Sequence, residues 1–140
     1  MQIQIAKTAE DISKCWEVLF ALRPHLVQDE FVATVQEMMD EGYMLVFIEK
    51  EGNAVAAAGY RYLQSLFIGK HYHIDDLSTL ESERGNGYAS ILLDYVIEEA
   101  TKNNLDAVTL DSGYTRNTAH RLYLNKGFIL AAHHFTKKLQ

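Results

Sequence analysis

A chain of 140 residues, 48% hydrophobic and 23% charged, has the size and make-up of one globular domain, which excludes a fibrous repeat or a long disordered tail. Thirteen basic residues against nineteen acidic ones leave a formal charge of −6, so a nucleic-acid partner is not expected: phosphate-backbone binding needs a basic surface. Cys15 is the only cysteine, which excludes an internal disulfide and a multi-thiolate zinc site, and apolar runs of about five residues fall far short of the ~20 that span a bilayer.

The start shows no basic region followed by an apolar stretch, so no leader is read there and a cytoplasmic location is expected. Ile3 and Ile5 alternate with glutamines as a short strand does. Thr8 and Asp11 then have the spacing of a capping box, and Ile12, Cys15, Trp16, Leu19 and Phe20 form one helical face that Pro24 ends. Residues 29–40 predict a second helix, stopped by Gly42, whose acidic residues Asp29, Glu30, Glu37 and Asp40, with Glu41 just beyond, read mostly as a solvated face.

The period then changes. Residues 43–48 and 54–62 are apolar runs joined by Lys50-Glu51-Gly52-Asn53, which predicts a hairpin of buried strands. Residues 71–79 predict another strand, and a polar, glycine-bearing segment, 81–87, leads into a long helix with Ala89, Leu92, Leu93, Val96, Ile97 and Ala100 on one face. A short strand at 107–110, a short helix at 117–126 stopped by Gly127, and a last strand at 128–135 complete the order. Alternating strands and helices predict an α/β fold with a mixed sheet.

The segment Arg84-Gly85-Asn86-Gly87-Tyr88-Ala89 carries the most chemistry. Glycines let the backbone turn several N–H groups one way, and the following helix adds its first-turn donors and dipole, so phosphate oxygens can be held with few cations. A dinucleotide fingerprint would want glycine where Ser90 stands, and a P-loop would want Gly-Lys-Ser/Thr. What remains is either an ordinary strand-to-helix turn or a coenzyme A pyrophosphate loop of the form Gln/Arg-x-x-Gly-x-Gly/Ala, matched by Arg84, Gly87 and Ala89.

Downstream, Asn117, Ala119, Tyr123, Gly127 and Phe128 stand in an order that, after the loop, resembles the GNAT superfamily of acyl-CoA-dependent N-acetyltransferases. The two motifs span residues 75–128, and the element order extends the likeness over residues 1–140 as a single domain. The resemblance implies a mostly antiparallel mixed sheet with helices on both faces and two splayed parallel central strands, 71–79 and 107–110. It implies acetyl-CoA as co-substrate, bound by Arg84, Gly85, Asn86, Gly87, Tyr88 and Ala89 at the pyrophosphate. Leu77 and Thr79 would offer backbone contacts to the pantetheine arm, and Asn117 would orient it. Asn117 also suits a plain helix N-cap.

By the same resemblance Tyr123 would protonate the departing thiolate, although core packing of its helix face is the alternative. An alkyl ammonium is neutral in only about one case in 2,500 at pH 7, so a base is needed. Asp75 and Asp76 are the carboxylates of the strand; neighbours on a strand point to opposite faces, so one of them is expected to face the acceptor. Asp76 is favoured over Asp75, acting directly or through water, with a hydrogen-bonding role at a sheet edge or turn as the equal alternative. His71, His73, His133 and His134 lack a recognised ligand spacing, so no metal is expected. The expected activity is direct acetyl transfer to a primary amine on a small molecule or peptide, with no nucleic acid or membrane as partner and a homodimer through sheet edges. A non-catalytic CoA-binding sensor or interaction module would need the loop but neither acid nor base.

Overall fold

The computed structural model describes residues 2–112 and 117–140, with backbone alone at 117 and 118. The chain divides into two compact units, 1–109 and 110–140. In the first, the order is β1 (Ile3–Ile5), α1 (Ala9–Lys14), α2 (Trp16–Leu22), α3 (Gln28–Asp40), β2 (Tyr43–Lys50), β3 (Asn53–Ser65), β4 (Gly69–Thr79), a 3-10 turn at Glu81–Glu83 and α4 (Tyr88–Lys102). The strand β5 (Ala107–Leu110) ends the first unit at Thr109, and the second begins at Leu110 and holds α5 (Asn117–Asn125).

The sheet runs β1-β2-β3-β4-β5, antiparallel from β1 to β4, with β5 parallel to β4. Tyr43, Leu45 and Phe47 point to one face, where they pack with Ile12, Val18, Leu19, Phe31 and Val35 of the first three helices. Val46 and Ile48, offset by one residue, therefore point to the other face, and both are buried. There α4 packs on β2, β3 and β4. Burial on both faces is why these strands read as unbroken apolar runs.

Local chemistry sets the boundaries. Thr8 and Asp11 form the capping box: Asp11 N–H donates to Thr8 Oγ1 (3.1 Å), and Lys7 and Thr8 N–H donate to Asp11 Oδ2 (2.9 and 3.2 Å). The helical face expected as one piece is two, because the Cys15 N–H bonds to Ile12 O three residues back and tightens the turn. Pro24 acts as expected: α2 ends at Leu22, and Arg23, next to the proline, leaves the helical region at φ −125°, ψ 77°. Glu51 and Gly52, both at positive φ (54° and 86°), make the tight β2–β3 turn.

One expectation fails. Residues 128–135 form no strand, and Ile129, Leu130 and Phe135 are exposed. An apolar run becomes a strand only when a neighbour pairs its backbone. The expected parallel pair is present as β4 and β5, with β5 last in the described strand order.

Candidate active site

Strand β4 holds both candidate carboxylates, and its register sets where they lie. Gly59 pairs with Asp76 but the next residue, Tyr60, pairs with Ile74, so Asp75 is an extra residue: a β-bulge. A bulge suspends strict alternation. Asp75 Oδ2 accepts from Arg61 Nε at 2.7 Å, the Arg61 guanidinium lies 5.4 Å from the centre of the Tyr43 ring, and the Tyr43 hydroxyl donates to Asp76 Oδ2 at 2.8 Å. Both carboxylates thus serve the same face, against the expectation that adjacent residues would diverge. His73 extends this line: its Nδ1 lies 2.7 Å from Thr109 Oγ1 and its Nε2 lies 3.8 Å from Asp75 Oδ1.

The bulge also resets the backbone. Lys70 C=O accepts from Asp106 N–H, just before β5, whereas Leu80 N–H donates to Val55 O on the β3 side. Counting back by twos from Leu80, residues 78 and 76 present their backbone groups to β3, and Leu77 and Thr79 present theirs away from it. Without the extra residue the parity would be reversed. A single insertion therefore aims Asp76's side chain and the Leu77 and Thr79 amides together.

Asp76 is held from two sides. Tyr43 binds one oxygen, and Arg23 Nε donates to the other at 3.1 Å while Arg23 Nη2 donates to Asp75 C=O at 2.8 Å. Pro24 is what brings Arg23 out of the helix to do this. Burial, then the neighbouring Asp76 carboxylate, push the Tyr43 hydroxyl well above the ordinary phenol range, so it stays a donor. To reach Asp76 the phenol crosses β3 at Gly59, where a Cβ would overlap the Tyr43 oxygen. Gly59 leaves the passage open.

Above Asp76 lies a cleft of about 530 Å³ walled by α2, α3 and their connection. Leu19, Leu26, Val27, Phe31, Val35 and Met38 line it with Arg23, His25, Glu30, Thr34, Tyr43 and Asp76. Of the acidic residues of the second predicted helix, only Glu30 reaches it. Tyr43, Gly59, Arg23 and Arg61 were not singled out by the sequence; a lone glycine inside an apolar strand run and a paired aspartate in the next strand are the signals that could have found them.

The loop from Arg84 to Ala89 has the conformation its glycines allow. Gly85 (φ 88°) and Gly87 (φ 78°) are left-handed, and added Cβ atoms there would meet nothing within 4 Å, so conformation rather than space selects glycine. Gly87 is the N-cap of α4 with no side-chain cap bond, and the first turn holds no acidic residue. The first-turn donors and positive helix end are thereby offered to an outside anion. Asn86 ties the loop down, its Nδ2 donating to Glu83 O at 2.9 Å, while Tyr88 is buried and Arg84 exposed. Among the described residues no cluster could hold a metal ion.

In the second unit, Tyr123 is buried on α5. Phe128 N–H donates to Tyr123 O, Gly127 N–H to Leu124 O, and Gly127 is left-handed at φ 89°. This is a Schellman cap, and its usual apolar contact is the Tyr123–Phe128 ring pair, 6.1 Å between centres. The spacing of Tyr123, Gly127 and Phe128 is thus a helix stop that fixes the tyrosine. The side chain of Asn117 lies outside the described residues.

A bulged strand thus runs beneath the cleft, followed by a glycine loop at an uncapped helix start. The model of the acetyltransferase (GNAT) family matches residues 6–128, and the chain belongs to that family. The uncharacterized N-acetyltransferase YhdJ of Bacillus subtilis (strain 168) is 31% identical over 130 residues, 91% of this chain and 92% of the relative. Two solved structures share the fold. A ribosomal-protein-alanine N-acetyltransferase from Brucella melitensis biovar Abortus 2308 gives a TM-score of 0.82 at 15% identity, over 99% of this chain and 100% of that one. A glucosamine-6-phosphate N-acetyltransferase from Arabidopsis thaliana gives 0.79 at 18%, over 99% and 98%. The protein is an acyltransferase of the GNAT type, a family that generally uses acetyl-CoA.

Proposed function

We propose that this chain moves an acetyl group from acetyl-CoA to a primary amine that enters the α2–α3 cleft and attacks the thioester directly. The observation that carries the reading is the Asp75 bulge, which joins a cleft-facing Asp76 to outward Leu77 and Thr79 amides on one strand. Those amides offer the pantetheine arm an extra strand's hydrogen bonds, and an N–H aimed at the acetyl oxygen would stabilise the oxyanion. The uncapped start of α4, with Arg84, Gly85, Asn86, Gly87, Tyr88 and Ala89, takes the pyrophosphate.

Asp76, directly or through one water, takes the ammonium proton. Its Tyr43 and Arg23 bonds occupy one approach to each oxygen, and a carboxylate oxygen has a second lone pair for the proton. Tyr123 donates a proton or hydrogen bond to the departing thiolate, and Asn117 orients the pantetheine. Covalent transfer through Cys15 is disfavoured, because burial pushes that thiol up to about 12. The family match runs across both compact units, which supports one transferase domain over residues 1–140.

The test is amine-dependent release of free thiol from acetyl-CoA. Asp76→Asn should lower kcat by about a hundredfold or more with coenzyme affinity kept, and Tyr123→Phe should lower kcat more than coenzyme affinity. No thiol release across a broad amine panel would sink the reading.

A further inference from the structure

We infer that the acceptor is a monoamine carried on an apolar body, alkyl or aryl, rather than a polyamine or a lysine-bearing peptide; this rests on the reading above that the amine meets Asp76. The cleft over Asp76 falls within the ~300–1,000 Å³ of small-molecule sites, and six of its walls are apolar side chains. Its charges are few and mostly committed. Arg23 is bound to Asp76 and to the Asp75 carbonyl, Glu30 is the one further carboxylate among the walls, and Asp29, Glu37 and Asp40 of α3 do not line it. One ammonium can be met by Asp76. On a polyamine a second ammonium would find only Glu30 among the lining residues, and a third would have to leave water for apolar walls.

Val27 is the independent sign. It occupies the N-cap of α3, a position that favours Ser, Thr, Asp or Asn, and no side chain caps that helix. It is also 54% exposed at the mouth of the cleft. A residue poor for the helix and poor for water is explained by an apolar ligand that covers it.

Val27→Ser separates these roles, since serine improves the cap and removes the apolar wall. With saturating acetyl-CoA and the full chain, 2-phenylethylamine and hexylamine should give kcat/KM at least about tenfold above spermidine and a lysine-bearing peptide. In Val27→Ser the KM for 2-phenylethylamine should rise about fivefold with kcat nearly kept, while Tm rises. Preference for spermidine or the peptide would overturn the class while leaving the transferase intact, and so would an unmoved KM beside a raised Tm. If no amine turned over, the transferase reading would fall. Methyl NMR shifts at Val27, Val35 and Met38 on adding 2-phenylethylamine would then uphold the ligand class, and unshifted methyls would overturn it.

Discussion

The loop at 84–88 and the Tyr43–Asp76 floor of the cleft are built on opposite plans. The loop acts through its backbone: two left-handed glycines and an uncapped helix start, with no side chain filling the space around them. The floor acts through side chains drawn from four elements, with Arg23 after α2, Tyr43 on β2, Arg61 on β3 and Asp75 and Asp76 on β4. A backbone site is local in sequence and needs particular φ values. A side-chain site is dispersed and needs particular distances. The two therefore break differently.

The largest expected effect is on the floor, without touching a charged residue. Gly59→Ala puts a methyl where the Tyr43 phenol passes, so the ring must leave Asp76 or the strands must part. Overpacking of this kind costs about 1–3 kcal/mol, and a misplaced base costs turnover. Denaturant melts should show that loss, and thiol release should show kcat lowered about a hundredfold with acetyl-CoA affinity little changed. A variant with normal kcat would mean that Tyr43 does not position Asp76.

The loop should fail the other way. Gly87→Ala adds an atom into open space, so the cost is only that of holding an L-residue at φ 78°, about 1–2 kcal/mol. Coenzyme affinity, read by calorimetry, should weaken up to about tenfold while KM for the amine stays put. Gly87→Asn, which tolerates the left-handed region, should keep most of the affinity. Equal losses in Ala and Asn variants would point to space rather than conformation.

The same contrast explains what the sequence made legible. The elements up to β5 were readable because caps, turns and periodicity are local: Thr8 with Asp11, Pro24, Glu51-Gly52 and the α4 stripe each announce themselves within a few residues. The loop was readable for the same reason. The bulge was not, since an extra residue in β4 is defined only against β3, and it overturned the alternation used to separate Asp75 from Asp76. Tyr43 was hidden among core aromatics, and Gly59 in an alanine-rich run, until their crossing made them partners. The strand expected at 128–135 failed because pairing, not apolar content, makes a strand.

Tyr43→Phe sharpens the comparison with the smallest change. It keeps the ring under Arg61 and removes only the bond to Asp76. Asp76 retains Arg23, so kcat should fall severalfold rather than a hundredfold, and stability at neutral pH should drop by about 1 kcal/mol. At high pH the sign reverses. An unfolded tyrosine ionises near 10, whereas burial and Asp76 hold the folded hydroxyl protonated well beyond that. Above about pH 10 the native state therefore binds more protons than the unfolded chain, and wild-type stability declines as pH rises. Cys15, raised to about 12, adds a decline of the same sign that begins near pH 9 and persists in the variant. Phenylalanine cannot ionise, so the variant's alkaline decline should be shallower, and its stability should approach or cross the wild type's above pH 10. Parallel curves from pH 8 to 11.5 would show that the Tyr43 hydroxyl ionises as readily in the fold as out of it.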